Sequence, residues 1–244
     1  RLKKYEEAIV CYDKALDIEP KYTKALNNKA DSLDDLRKYK EAIVCYDKSL
    51  AINPKNVYAL HGKGWTLNQQ KKFNESIICY DKALDIEPNN VQVLFNMSIV
   101  LANQEKHEAV IVCLNKVISI EPKDTVSLIN KGNALGRLKK YEEAIVCYDK
   151  ALDIKPNHFQ TSNNKSWTLC KLKRYEEALL LSEISLTMKQ PKPEYVHTKG
   201  FILLKLKQYQ DAIKWFDKAL KIDPNHKDSI KDRQLAVDAA KLDK

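Results

Sequence analysis

Glycine is scarce in this chain, since only 5 of its 244 residues are glycine. Sandwiches and barrels of β-strands need many tight turns that use glycine, so the low count argues against those folds. No run of about 18 apolar residues is present and no secretory signal peptide is recognisable, so we expect no membrane partner. Phosphate-binding glycine loops and nucleophile motifs are also missing. We therefore expect a protein that is not an enzyme, with no catalytic residue and no cofactor.

The six cysteines and five histidines form no Cys-x-x-Cys or His-x-x-x-His pair, so no metal site is expected. Cys11, Cys45, Cys79, Cys113 and Cys147 follow one another at intervals of 34 residues. This regular interval places the cysteines at equivalent positions of successive structural units. Equivalent helices in a stack of such units lie roughly 8–10 Å or more apart, whereas a disulfide needs Cα atoms within about 7 Å. We expect free, buried, apolar thiols in a reducing compartment, that is, an intracellular and cytoplasmic protein.

Acidic residues are the minority, with 33 Asp and Glu against 42 Lys and Arg and a net charge of +9. The excess lies in residues 123–244, which carry 24 basic against 16 acidic residues, whereas residues 1–122 carry 18 against 17. A basic half could attract an acidic protein or a nucleic acid. Lysine is also an ordinary surface residue of helices, so nucleic acid is the less favoured partner.

What the chain does have is a 34-residue repeat. The segment from Tyr5 to Ile18 recurs unchanged from Tyr141 to Ile154, and prolines stand at positions 20, 54, 88, 122 and 156. Apolar residues three to four places apart in both halves of each repeat indicate two amphipathic helices, and the proline ends the second one. Neither helix can bury its apolar stripe alone, so successive pairs must stack.

The pattern resembles the tetratricopeptide repeat family over the whole chain. The matching positions of one repeat are Gly132, Tyr141, Ala144, Tyr148, Ala151 and Pro156. The resemblance implies an all-α fold, a right-handed α-solenoid or superhelix of stacked antiparallel helix pairs. We expect the second helix of a truncated repeat in residues 1–22, a capping helix in 227–244, and six tandem repeats in 23–56, 57–90, 91–124, 125–158, 159–192 and 193–226. Val110 and Val117 replace alanines of the pattern, which predicts a local change of curvature in 91–124.

In this family the first helices line a concave groove that binds a protein or peptide partner, and the resemblance implies the same here. Side-chain amides can donate to and accept from a peptide backbone, and asparagine recurs at the sixth position of the repeats as Asn28, Asn96, Asn130 and Asn164. Duplication alone, with each asparagine making a local bond, is the alternative. Candidate anchors at the fifth and ninth positions are Trp65, Phe95, Asn133, Trp167 and Phe201. Basic residues at the thirteenth position, opposite in sign to Asp34 and Asp35 of the first repeat, could fix the direction of a peptide: Arg137, Lys171 and Lys205.

Two other functions stay open from the sequence. The N-terminal edge has no cap of its own, so the chain could associate with itself by stacking through that edge. It could also be the regulatory arm of a larger protein.

Overall fold

The computed structural model describes residues 2–187 and 190–243, apart from the side chain of Leu2. In this part of the chain all regular structure is α-helical, which confirms the predicted all-α stack of helix pairs. The chain divides into two compact units, Arg1–Pro122 (unit 1) and Lys123–Lys244 (unit 2). The helices are α1 Leu2–Ile18, α2 Thr23–Asp35, α3 Tyr39–Ile52, α4 Val57–Gln69, α5 Phe73–Ile86, α6 Val91–Asn103, α7 His107–Ile120, α8 Thr125–Arg137, α9 Tyr141–Ile154, α10 Phe159–Lys171, α11 Tyr175–Leu186, α12 Pro193–Lys205, α13 Tyr209–Ile222 and α14 Lys227–Leu242.

The turn inside each helix pair has the same left-handed residue. Six residues without glycine's freedom have φ between 58° and 62°: Arg37, Lys71, Glu105, Lys139, Lys173 and Lys207. In the second of these turns the N–H of Lys72 donates to the carbonyl of Leu67, and the N–H of Lys71 donates to the carbonyl of Asn68. This is the Schellman motif, in which the left-handed residue is usually glycine. The sequence therefore gives no glycine signal for its most regular turn.

The prolines that follow second helices restrict the residue before them. Asn53 and Asp223 end α3 and α13 in extended conformations, as expected for residues that precede proline. Most of the helices that follow are capped at their N-terminus by a side chain that accepts a backbone N–H, and the capping residues are Asn56, Asn90, Asp124, His158 and His226. Two of the five histidines are therefore helix caps.

A close contact within several pairs joins a glycine of the first helix to an aromatic ring of the second. A Cβ atom added at the glycine would lie 2.6–2.8 Å from the ring in three pairs, which are Gly64 with Tyr80, Gly132 with Tyr148 and Gly200 with Phe216. Tyr46 differs, because its ring lies over Gly62 of the next pair, where an added Cβ would be 2.5 Å away. Its own pair can therefore carry Ala30 where the others have glycine or serine.

Ion pairs join neighbouring helix pairs within each unit. A basic residue of a first helix contacts an acidic residue of the preceding second helix: Lys29 with Asp13, Lys63 with Asp47, Lys165 with Asp149, Lys199 with Glu183 and Arg233 with Asp217. In residues 91–124 both equivalent positions are uncharged, being Met97 and Asn115.

The cysteines are free thiols, as predicted. Cys45, Cys79, Cys113 and Cys147 are buried, and so is Cys170, whose burial raises its pKa to about 12. The prediction is wrong for Cys11, which is exposed. The helices α3, α5 and α9 each pack against the first helix of their own pair and against the next first helix, whereas α1 packs against the next first helix, α2.

Candidate functional site

A groove of about 710 Å³ lies in unit 2, along α8, α10 and α12 and the start of α14. These first helices run side by side, and α9, α11 and α13 pack behind them. The groove gathers five of the residues selected from the sequence: Asn133, Arg137, Asn164, Trp167 and Lys171. Asn130 is half-buried on α8 and lies outside the lining of the groove.

Two asparagines of the groove hold each other in place. The Nδ2 of Asn164 donates to the Oδ1 of Asn133 over 2.9 Å, and the hydroxyl of Tyr148 donates to the same oxygen over 2.9 Å. Tyr148 is itself buried, so its hydroxyl holds the side chain of Asn133 in a fixed position. The pair comes from the ninth position of one repeat and the sixth position of the next. It is therefore not a ladder of sixth positions.

Beside the asparagine pair lie two aromatic rings capped by lysines. Trp167 and Phe201 are half-buried, with ring centroids 5.0 Å apart in a tilted arrangement. The Nζ of Lys171 lies 4.6 Å from the centroid of Trp167, and that of Lys205 lies 5.0 Å from the centroid of Phe201. These are cation–π distances, which hold each ammonium group over its ring. The ridge of Trp167, Phe201, Lys171 and Lys205 thus combines apolar surface with positive charge.

The fifth position of the repeats is buried in three of the six repeats. Asn27, Ile129 and His197 are each only 6% exposed. The Nε2 of His197 lies 3.0 Å from Oδ2 of Asp232 on α14, and its ring lies 5.5 Å from that of Phe216. Burial lowers the pKa of His197 in spite of the nearby carboxylate. His197 therefore joins α12 to the next first helix, α14.

The candidates of unit 1 are half-buried on their helices: Asn28 on α2, Trp65 on α4, and Phe95 and Asn96 on α6. The Nδ2 of Asn96 lies 2.6 Å from the Nε2 of His61, so this asparagine makes a local bond. At the ninth position of the first repeat, Asp31 accepts hydrogen bonds from the hydroxyls of Tyr46 and Tyr58.

Of the acidic residues selected in the first repeat, Asp34 is half-buried and Asp35 is exposed. Burial raises the pKa of Asp34.

Several groove residues escaped the selection made from the sequence. Asn163, Glu194, Thr198 and Asp228 also line the groove. Glu194 and Asp228 stand at the second position of their repeats, and Thr198 at the sixth, all on the helix face that the sequence assigns to the groove. Polar and charged side chains are ordinary on the exposed faces of helices, which is why these four residues carried no signal of their own.

In residues 2–187 and 190–243, no group of three or more histidine, cysteine or acidic side chains comes together as metal ligands would. None of the helices in these residues combines the length and the apolar character that crossing a membrane requires.

Family models described as tetratricopeptide repeat match most of the chain. The matched residues are 1–22, 23–56, 57–90, 79–111, 126–158, 147–179 and 193–226. No curated protein matches the chain.

Solved structures with the same fold share little sequence with this chain. The C-terminal part of a TPR repeat-containing protein from Cytophaga hutchinsonii is 17% identical, with a TM-score of 0.76, and the match covers 93% of this chain and 94% of that one. PilF of Pseudomonas aeruginosa is 16% identical, with a TM-score of 0.72 and coverages of 87% and 96%. YrrB, described as a TPR protein with an unusual peptide-binding site, is 18% identical, with a TM-score of 0.63 and coverages of 91% and 97%.

Proposed function

The chain belongs to the tetratricopeptide repeat family, whose members are in general non-catalytic scaffolds for protein–protein interaction, and on that premise we propose that it binds an extended segment of a partner protein in the groove of unit 2. The observation that carries this proposal is the asparagine pair beside the aromatic ridge. The asparagine pair can form hydrogen bonds with a peptide backbone, and the ridge offers a surface for an apolar side chain.

The hydrogen bonds of Asn133 and Asn164 leave one donor and one acceptor free for a peptide backbone. Both hydrogen bonds to Asn133 fall on its Oδ1, so its Nδ2 is left to donate, while Asn164 uses its Nδ2 and keeps its Oδ1 to accept. A peptide unit needs one donor and one acceptor side by side, and this pair offers both. The bond between the two amides fixes their geometry before binding, which lowers the entropy that binding must overcome. Each new bond would contribute about 0.5–1.5 kcal/mol.

The side-chain anchor is Trp167. Tryptophan is one of the residues enriched at the energetic centres of protein interfaces. Phe201 extends the apolar surface next to it, and Lys171 and Lys205 place positive charge at the rim. The peptide-binding site described for YrrB supports the same class of ligand for a chain of this fold.

The test is to select peptides from a random phage-displayed library on the whole chain and to measure their affinities by fluorescence anisotropy. Trp167→Ala should weaken binding about 30-fold, which corresponds to about 2 kcal/mol. Asn164→Ala should weaken it about threefold to tenfold. Asn130→Ala is the matched control, since this asparagine has the same repeat position as Asn164 and lies outside the groove.

Circular dichroism confirms that each variant is folded. Selected peptides that bind wild type, Trp167→Ala and Asn164→Ala with equal affinity would place the binding surface elsewhere and refute the proposal.

A further inference from the structure

The groove of unit 2 is electrically polarised. Arg137, Lys139 and Lys171 line it at α8 and α10, whereas Glu194 and Asp228 line it at the starts of α12 and α14. All five residues are exposed. Among the described residues, none of the five forms an ion pair. The two groups of charge therefore remain available to a ligand.

Folding alone does not require these charges. Acidic residues in the first turn and basic residues in the last turn favour a helix through its dipole, which offers a simple explanation for them. The equivalent helices of unit 1, α2, α4 and α6, have neither an acidic first turn nor a basic last turn. They form the same structure in the same type of repeat. The charges of unit 2 are thus an addition to the fold, and they stand around its groove.

We propose that the groove selects an extended peptide that carries an acidic residue and, several residues away, a basic residue. This rests on the proposed function of the same groove and names its ligand. The acidic residue lies against Arg137 and Lys171, and the basic residue lies against Glu194 and Asp228. The asparagine pair and Trp167 hold the stretch beside the acidic residue, because Asn164 and Trp167 are on the same helix as Lys171.

The structure also sets the spacing of the two charges. Lys171 is on α10 and Asp228 is on α14, two first helices further along the stack. Neighbouring packed helices lie about 8–10 Å apart, which separates α10 from α14 sideways by roughly 16–20 Å. Lys171 ends its helix whereas Asp228 lies at the start of its own, so the two residues also differ by about three turns, or roughly 16 Å, along the helix axes. The ligand must therefore span roughly 23–26 Å, which is about seven or eight residues of extended chain at about 3.3 Å per residue. A peptide with adjacent charges of opposite sign cannot reach both groups.

Synthetic peptides of defined charge test the proposal. The probes have two aspartates, a spacer of six alternating serines and alanines, and two lysines, with both ends blocked. A second peptide has the reverse order, a third has serine at all four charged positions, and a fourth has the charges adjacent. At low salt, one of the two orders should bind about fivefold to tenfold more tightly than the other three peptides. High salt should reduce this difference, because screening weakens exposed charge pairs.

A charge-reversed variant gives the sharper result. Arg137→Glu, Lys171→Glu, Glu194→Lys and Asp228→Lys together leave the net charge unchanged and alter only exposed side chains. This variant should prefer the peptide of the opposite order. A matched control with Lys21→Glu, Lys24→Glu, Glu41→Lys and Glu108→Lys reverses four exposed charges in unit 1 and should keep the preference of wild type.

The outcomes separate this inference from the proposed function. Equal binding of both orders, or an unchanged preference in the reversed variant, overturns the inference; if the library-selected peptides still need Trp167, the proposed function stands. When neither the selected nor the designed peptides bind in the groove, both are refuted.

Discussion

Tyr148 lies so close to Gly132 that a Cβ atom at Gly132 would fall 2.6 Å from Cε1 of the ring. The ring is 2% exposed and its hydroxyl is bonded to Asn133, so it has little room to move. Gly132→Ala should lower the free energy of unfolding by about 1–3 kcal/mol, because the extra methyl overpacks this contact. Chemical denaturation measures the change.

Gly136 is the control for this substitution, because it lies on the same helix and an added Cβ there would meet nothing within 4 Å. Gly136→Ala should stabilise the protein by up to about 1 kcal/mol through helix propensity. Equal effects of the two substitutions would show that the ring yields and that the contact does not limit the fold.

The left-handed turn residues offer a stabilising change. Lys71 has φ of 61°, where a side chain beyond glycine costs about 1 kcal/mol. Lys71→Gly should therefore raise the free energy of unfolding by about 0.5–1 kcal/mol. Lys82→Gly is its counterpart inside α5, an exposed position where glycine should cost about 1 kcal/mol. A loss of stability in Lys71→Gly would show that the turn is relaxed with lysine in place.

The helical stack could be predicted because repetition multiplies weak signals. One proline or one apolar stripe is ambiguous, but five prolines at intervals of 34 residues are not. The turns were harder to predict from the sequence, since lysine, arginine or glutamate stands where glycine usually marks a helix end. The division into two units also had no sequence signal beyond the irregular repeat in 91–124, inside which the boundary falls.

The third prediction concerns an ion pair that is missing between Asp81 and position 97. Asp81 stands where other repeats have the acidic partner of an ion pair, but the basic position opposite it is Met97. Burial and nearby Asp85 raise the pKa of Asp81. Met97→Lys should add an ion pair like that of Lys63 with Asp47, which are 2.6 Å apart. We expect a gain of less than about 1 kcal/mol at low salt that fades at high salt.

The same substitution in an Asp81→Asn background is the control, because the new lysine then has no carboxylate to contact. If Met97→Lys gains as much in that background, the effect comes from something other than the ion pair. Nuclear magnetic resonance titration of the Asp81 carboxyl should also show its pKa falling when lysine is opposite.

The site was harder to predict than the fold because its residues come from different repeat positions. Choosing one position and following it along the chain led to Asn28, Asn96, Asn130 and Asn164, of which only Asn164 lines the groove. Its bonding partner Asn133 comes from the ninth position. Side chains reach across the gap between helices, so a groove draws on several positions at once. A repeat pattern shows which face is available but not which side chains meet.

Acid should weaken the end of unit 2 through His197. This ring is buried against Trp167, Phe201 and Phe216, and the titratable groups around it are Asp232, Asp228 and His226. Burial lowers the pKa of His197 below its ordinary value of 6.5, and Asp232 only partly opposes this effect. The unfolded chain therefore binds a proton more readily than the folded chain, and the free energy of unfolding must rise with pH wherever the two states bind different numbers of protons. The contribution of His197 to stability is fully present above about pH 7 and is lost as pH falls from 6.5 through the folded-state pKa.

The substitution His197→Gln keeps a donor for Asp232 but cannot titrate, so the unfolding free energy of this variant should change less between pH 8 and pH 5 than that of wild type. His61 also has a pKa lowered by burial and titrates in both proteins, so the quantity to compare is the difference between the two pH profiles. Parallel profiles would mean that His197 keeps the same pKa in the folded and unfolded chain, and that its contact with Asp232 offsets the whole effect of burial.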